Sequence, residues 1–229
     1  MFGIKKLCVL GLALALSACV SSEPASRSMS GDALTLASRG TGSIPETGSV
    51  RVMAAQYDVA DVQVTVPREL RVSEANTFYP MADIVWRGDA LGDRHVQIAS
   101  IFNDAAQRAT GGMNTGRTVA VQIELVRFHG VTEKTRYTVG GTHNMVFDLT
   151  VRDAASGAVL DGPRRVVADA KAAGGQAAIA EEQAGRTQRV VVTEKLVEVL
   201  RRELSAPVTD PALVARATQA PGTPVLVTR

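Results

Sequence analysis

Three histidines and two cysteines are the side chains of this 229-residue sequence best suited to metal binding or nucleophilic chemistry. His95, His129 and His143 lack the i, i+4 spacing with which two histidines bind zinc from one helical face. The chain contains no Gly-x-x-x-x-Gly-Lys phosphate loop, no His-Glu-x-x-His motif and no Gly-x-Ser-x-Gly nucleophile turn. We therefore predict no metal, no cofactor and no catalytic residue. We interpret the histidines as solvated or locally hydrogen-bonded, with His143 on the polar side of its strand.

Residues 1–18 have the three-part plan of a secretory signal peptide. Lys5 and Lys6 form a positive start, and Leu7 to Leu16 form an apolar run before the small residues Ser17 and Ala18. The run is about ten residues long, whereas a helix that spans a bilayer needs about 20. The segment therefore predicts export and removal rather than a transmembrane helix.

Leu16, Ser17, Ala18 and Cys19 stand at the end of this segment and resemble the lipobox of bacterial lipoproteins. In that motif the cysteine thiol is acylated, for example with palmitate, and the chain is cut before it. Stable anchoring takes about two acyl chains or more, so an acylated Cys19 would hold the protein to a membrane. In the lipoproteins that this segment resembles, an Asp directly after the cysteine holds the protein in the inner membrane. The resemblance, with Val at position 20, therefore implies the outer membrane, with the domain facing the periplasm. The alternative is an ordinary secretory peptide with an incidental Cys19.

Removal of residues 1–18 changes the charge balance of the chain. The full sequence has 25 Lys and Arg against 23 Asp and Glu, a net charge of +2. Loss of Lys5 and Lys6 leaves 23 of each, so the mature side chains sum to zero. This balance argues against nucleic acid as a partner, because binding to phosphates requires excess positive charge. Cys8 leaves with the signal peptide, so a structural disulfide is also excluded.

The composition divides the remaining chain into three parts. Residues 19–49 are rich in Ser, Gly, Thr and Pro and predict an acylated cysteine followed by a flexible linker. Residues 50–205 carry the hydrophobic periodicity of one folded domain. Residues 206–229 contain four prolines and predict a loosely ordered tail.

Within residues 50–205 the pattern predicts an α+β fold. Alternating apolar residues indicate strands at Val62–Val66, Val119–Leu125 and Met145–Val151, with a phase change near Val126 that suggests a bulge. Helical spacing from Ile98 to Ala109, after a cap at Asp93, predicts a first helix, and residues 186–204 predict a second. We expect a two-layer sandwich in which two helices pack on one face of a mostly antiparallel sheet.

The densest aromatic stretch is Phe78-Tyr79-Pro80, followed by Trp86. Because Tyr and Trp are enriched at binding hot spots, Tyr79 and Trp86 are candidate partner-binding residues. The interpretation we favour is that these rings pack at the sheet edge over the first helix. The tripeptide Arg87-Gly88-Asp89 matches a cell-adhesion motif, but we interpret it as turn chemistry.

The lipobox, the linker and the run from Thr77 to Gly88, Thr-Phe-Tyr-Pro-Met-Ala-Asp-Ile-Val-Trp-Arg-Gly, resemble an uncharacterised family of Gram-negative envelope lipoproteins. The resemblance covers most of residues 50–205, and it implies the role of Cys19 alone. The sequence is more distantly similar to the auxiliary lipoproteins that accompany envelope transporters.

Three functional hypotheses follow from these features. The first is an outer-membrane-anchored, non-enzymatic module that binds or scaffolds an envelope protein. The second is an auxiliary lipoprotein of an envelope transporter, which binds a small ligand or lipid in an apolar cavity near Tyr79, Trp86 and Phe102. The third is an envelope hydrolase, which requires either a Ser, a His and a carboxylate, or His129 and His143 with a carboxylate, to converge within hydrogen-bond reach.

Overall fold

The computed structural model describes residues 52–208. The predicted signal peptide, the lipobox residues Leu16, Ser17, Ala18 and Cys19, the linker and most of the tail lie outside the described residues. The elements are, in chain order, β1 (Met53–Ala55), β2 (Tyr57–Thr65), β3 (Ile84–Val85), α1 (Arg94–Thr110), β4 (Arg117–His129), α2 (Glu133–Arg136), β5 (Gly141–Asp153), β6 (Val159–Ala172), α3 (Gly175–Gln183), α4 (Gln188–Glu203) and β7 (Ser205–Pro207).

The main sheet has five strands in the order β2-β4-β5-β6, with β3 pairing with β4 beyond the end of β2. Its three longest strands, β4, β5 and β6, are antiparallel neighbours. By contrast, β2 and β3 both run parallel to β4. The α+β sandwich is confirmed. The parallel edge arises because α1 carries the chain back across the sheet between β2 and β4.

One face of the sheet is buried under the helices. Its side chains alternate along the strands with half-buried or exposed ones, as expected for a sheet covered on one side. The aromatic rings join the layers, since Phe102 of α1 lies edge-to-face against Phe147 at 5.4 Å and near Phe128 at 6.3 Å. The buried strand residues of this core are Ile84, Val119, Val121, Ile123, Leu125, Phe128, Met145, Phe147, Leu149, Val151, Val166, Ala168 and Ala170.

The phase change that was predicted near Val126 is a bulge in β4. The pairing with β5 shifts between Leu125 and Arg127, so Phe128 points into the core instead of continuing the earlier alternation. The extra residue lets β4 keep an apolar side chain facing the helices along its whole length.

Both predicted helices are present. Asp93 caps α1 by accepting a hydrogen bond from the Val96 N–H at 3.2 Å, as its position suggested. Thr187 caps α4 in the same way through the Val190 N–H. The stretch before α4 forms a separate short helix, α3, because Gly185 adopts a φ of +79° that ends it. Within residues 52–208, no helix combines the length and apolar character needed to cross a bilayer.

Candidate partner-binding loop

Phe78 and Tyr79, two of the aromatic residues singled out in the sequence, lie on a loop that we call the aromatic loop, residues 74–83. Its two ends are held side by side. The Ser73 N–H donates to Ile84 O at 3.0 Å, and the Asp83 and Ile84 N–H groups both donate to Arg71 O at 2.9 Å. The base of the loop is therefore closed by backbone hydrogen bonds beside β3.

The far side of the loop is attached to α2. The Thr132 hydroxyl donates to Thr77 O at 2.8 Å, and the Lys134 N–H donates to Asn76 Oδ1 at 2.8 Å. The Lys134 ammonium lies 4.8 Å from the centre of the Phe78 ring, within the range of a cation–π contact. These contacts hold the segment before the tip against the body of the domain.

The tip carries large apolar side chains in solvent. Tyr79 and Met81 are each 90% exposed, and Phe78 is 41% exposed. Pro80 stands between Tyr79 and Met81 and fixes one backbone dihedral at the tip. An apolar tip on an anchored base has the form of a binding surface, because little ordering is left to occur when a partner contacts it.

Trp86 does not belong to this surface, which corrects its prediction as a partner-binding residue. Its side chain is fully buried, and it packs edge-to-face on Phe128 at 5.3 Å. A β-carbon built on Gly88 would lie 2.4 Å from the indole ring, and one on Gly130 would lie 2.9 Å away. The favoured interpretation, packing at the sheet edge, therefore describes Trp86, whereas Tyr79 stays a candidate contact.

A buried arginine supports the loop from below. Arg94, at the start of α1, is 3% exposed and forms a bidentate pair with Glu74, with Nε–Oε1 2.7 Å and Nη2–Oε2 3.0 Å. Its Nη1 donates to Ala90 O and to Gln97 Oε1. The hydrogen bond from Arg94 holds the pKa of Glu74 below its usual value. The sequence carries no local signal for this pair, because its members stand 20 positions apart.

Arg87 extends the same network to α2. Its Nη1 donates to Glu74 O at 2.9 Å, and its Nε lies 2.5 Å from Glu133 Oε2. Both Arg87 and Arg94 thus donate hydrogen bonds to Glu74, and charged contacts join the loop to α1 and α2. Because only about a fifth of the Arg87 side chain is exposed, these contacts are partly shielded from solvent.

The Arg87-Gly88-Asp89 tripeptide has a structural role in this arrangement. Asp89 Oδ2 accepts a hydrogen bond from Trp86 Nε1 at 2.8 Å and another from Arg189 Nη1 of α4 at 2.8 Å. Arg189 also donates to Ser100 and Asp104 of α1. The carboxylate is therefore engaged within the domain, as expected for a turn.

Two of the histidines make local contacts. His129 Nε2 lies 2.5 Å from Ala82 O, and its Nδ1 lies 3.0 Å from Arg127 Nη2. Burial lowers the pKa of His129. His95 Nε2 lies 3.1 Å from Leu70 O. Local hydrogen bonding is therefore the correct interpretation for these two side chains.

His143 does not lie on the polar side of its strand, so the prediction for this residue is wrong. It is fully buried on the helix-covered face, because it is in phase with Met145 and Phe147. Its Nδ1 accepts the Val131 N–H at 3.3 Å. Burial, together with the charge of Arg136, lowers the pKa of His143 to about 4, so the imidazole is neutral at physiological pH. The contacts of His129 and His143 are to backbone atoms and an arginine, so these two histidines do not converge on a carboxylate as one form of the hydrolase hypothesis requires.

Where the small-ligand hypothesis places a cavity, Trp86 and Phe102 are buried and both pack edge-on against Phe128, at 5.3 and 6.3 Å. A groove of about 350 Å³ lies elsewhere, between α1 and the start of α4, and charged side chains such as Asp104, Arg108 and Arg189 line it. Among residues 52–208, no three His, Cys, Asp or Glu side chains are grouped so as to hold a metal ion.

Comparison with known proteins identifies a family and two distant structural neighbours. The model of a family of unknown function, DUF6778, matches residues 57–220. No curated protein matches the sequence. A Xanthomonas campestris protein of the family DUF330 is similar at 12% identity and a TM-score of 0.40, over 79% of this chain and 97% of its own. A Caulobacter crescentus protein described as a candidate lipoprotein is similar at 19% identity and a TM-score of 0.24, over 50% of this chain and 86% of its own. Similarity this weak carries no argument about function.

Proposed function

This chain belongs to DUF6778, a family of unknown function. We propose the following role for it, on the basis of its own residues. It is an envelope lipoprotein, held to the outer membrane by acyl chains on Cys19, and its periplasmic domain is a non-enzymatic module that binds or scaffolds an envelope protein. The partner contacts the aromatic loop. The observation that supports the binding role is the 90% exposure of both Tyr79 and Met81 at the tip of an anchored loop.

The anchor rests on the sequence around Cys19. A charged start, a short apolar run and Leu16-Ser17-Ala18-Cys19 follow one another in the order that lipoprotein processing requires. Each acyl CH₂ buried in the bilayer contributes about 0.8 kcal/mol, so two or more chains hold the protein without a transmembrane helix.

Substitution of the cysteines tests the anchor. We expect Cys19→Ala to abolish incorporation of labelled palmitate and to remove the protein from the outer-membrane fraction. Cys8→Ala is the matched control, because it lies in the segment that is removed and should leave labelling and membrane association unchanged. If the Cys19→Ala protein still sediments with outer membranes, the lipid anchor is wrong.

The binding role rests on how the loop is built. Tyr and Met are enriched in the cores of protein interfaces, where they bury large apolar areas. The Arg94–Glu74 pair and the backbone hydrogen bonds at Arg71 hold the base of the loop before any partner arrives. A preformed loop loses less conformational freedom on binding than a flexible one, so more of the contact energy appears as affinity.

Site-specific photo-crosslinking in intact cells tests this surface. A photoreactive residue at position 81 should capture one defined envelope protein, and Tyr79→Ser should reduce that product about tenfold, the effect of a modest hot spot. The matched control is a photoreactive residue at Val139, which is 75% exposed but lies outside the loop. Identical products from positions 81 and 139, or a yield that Tyr79→Ser leaves unchanged, would contradict a specific role for the loop.

A further inference from the structure

Strand β6 forms an open edge of the main sheet. It lies at the end of the strand order, and within residues 52–208 only β5 pairs with it. From Arg164 to Ala172 its pairing with β5 has no register shift, so nine residues form a regular strand. Such a strand presents unpaired backbone N–H and C=O groups to solvent, and these groups can pair with another strand.

The opposite edge of the sheet is protected. The β2 strand has a bulge between Val59 and Asp61, and Asn114 forms a bridge with Asp58. The Val59 N–H donates to Met113 O at 3.1 Å. Bulges and covering segments are common ways to prevent edge pairing. The regular part of β6 has neither within the described chain, so the two edges differ in their capacity to accept a partner strand.

The exposed face of β6 has a self-complementary pattern. Arg165, Val167 and Asp169 alternate along it, and the central Val167 is 52% exposed. Between them, Val166 and Ala168 face the helix-covered core. An antiparallel pairing centred on Val167 places residue 165 of one strand opposite residue 169 of the other, so opposite charges meet on both sides of the centre.

We propose that a second copy of this chain pairs with the first through antiparallel β6 strands centred on Val167. The two five-stranded sheets then join into one continuous sheet with the helices of both protomers on the same face. Arg165 of each protomer lies opposite the partner's Asp169, and the two Val167 side chains lie opposite each other. This proposal is independent of the lipid anchor and of the aromatic loop.

Both charged groups have an atom available for this contact. Arg165 donates through Nε and Nη2 to Asp148, which leaves Nη1 without a hydrogen bond within residues 52–208. Asp169 accepts the Asn144 Nδ2 hydrogen bond at Oδ1, and in the same part of the chain its Oδ2 has no partner. The bonds that these side chains make within one protomer therefore need not break when the dimer forms.

Neighbouring registers are less favourable. A shift of one residue in the pairing would place helix-side residues of one strand opposite solvent-side residues of the other, which breaks the alternation of faces. A pairing centred on Ala168 keeps the faces but places Arg165 opposite the partner's Lys171, and like charges that face each other are destabilising. Only the centre at Val167 pairs Arg165 with Asp169.

Charge substitutions at the two-fold centre provide the test. Val167 faces solvent, so Val167→Asp and Val167→Lys should leave the protomer folded, as circular dichroism can check. We expect the full chain in non-ionic detergent to be a dimer by light scattering, and each variant alone to be a monomer because identical charges meet at the centre. An equimolar mixture of the two variants should recover the dimer. Val159→Asp, at a 48% exposed position of the same strand outside the paired stretch, should stay dimeric.

A cysteine at the centre provides a second readout. In a chain with Cys8 and Cys19 replaced by serine, Val167→Cys should form a disulfide-linked dimer on oxidation, whereas Val159→Cys should not. A monomeric wild-type chain overturns the proposal. This holds both if the chain's own residues beyond Val208 cover the edge of β6 and if that edge stays open. The proposal is also overturned by a dimer that Val167→Asp leaves intact and Val167→Cys does not crosslink.

Discussion

Arg94 and Glu74 form a bidentate ion pair that fastens the start of α1 to the aromatic loop, with Nε–Oε1 and Nη2–Oε2 distances of 2.7 and 3.0 Å. The guanidinium is almost fully buried, whereas 42% of the Glu74 side chain is exposed. A buried cation needs such a partner, because an unpaired charge away from water is strongly unfavourable. The pair therefore couples the position of the loop to the stability of the domain.

Replacement of Glu74 tests this coupling through its pH dependence. Hydrogen bonding from Arg94 lowers the pKa of Glu74 below 4.5, so the pair stabilises the fold fully above about pH 4.5 and loses this effect as the pH falls through the lowered value. We expect Glu74→Gln to lower the free energy of unfolding by about 1 kcal/mol at pH 7 and to have a smaller effect at pH 3. Urea titrations at pH 7 and pH 3 measure the free energy of unfolding. The control Glu69→Gln, at an exposed position nearby, should leave that free energy unchanged at both pH values. Equal losses for Glu74→Gln at the two pH values would argue against the ion pair.

The carboxylate of Asp89 is expected to matter more than that of Asp104, although both accept from Arg189. Asp89→Ala also leaves the buried Trp86 Nε1 without an acceptor, which should cost about 2 kcal/mol. Asp104 is 55% exposed, so Asp104→Ala should cost about 0.5 kcal/mol or less. Chemical denaturation of the two variants compares them directly, and similar losses would show that the Trp86 hydrogen bond contributes nothing.

A methyl group at Gly88 should disturb the packing of Trp86. The added carbon would lie 2.4 Å from the indole ring, which is fully buried. We expect Gly88→Ala to lower the free energy of unfolding by about 1–3 kcal/mol and to change the tryptophan fluorescence. Gly112→Ala is the matched control, because a β-carbon there has no neighbour within 4 Å. An unchanged emission spectrum in Gly88→Ala would contradict the close contact.

The buried His143 predicts a loss of stability in mild acid. The folded-state pKa is about 4 and the unfolded value is near 6.5, so between these values the unfolded chain binds the extra proton. This titration therefore leaves the free energy of unfolding unchanged above about pH 6.5 and lowers it by at most about 1.4 kcal/mol per pH unit below that value. His143→Asn keeps an acceptor for the Val131 N–H and removes the titration, so the slope of stability between pH 6.5 and 4 should decrease. His95→Asn leaves His143 in place and should retain the slope, and a wild-type slope in His143→Asn would refute the assignment.

Prediction from sequence succeeded where neighbouring residues carry the information. Asp93 and the apolar spacing from Ile98 to Ala109 identify α1, because a cap and a 3.6-residue period are local properties. The bulge near Val126 was visible as a change of phase. His143 was misassigned although the same rule applies to it, since residues 143, 145 and 147 share one face of β5. For Trp86 the sequence left a partner contact and packing at the sheet edge both open, because its burial depends on Phe128 of a distant strand.

The sequence by itself determined the α+β class, the first helix with its cap, the faces of the central strands and the resemblance that the family match confirms. It also predicts the anchor at Cys19. Only the tertiary structure decided that β2 runs parallel to β4, that Arg94 pairs with Glu74, that Tyr79 is exposed while Trp86 is buried, and that β6 lies at an open edge. The physical reason is separation along the chain. Periodicity and caps are set by residues within a few positions of one another, whereas these contacts join distant segments whose pairing depends on the packing of the whole domain.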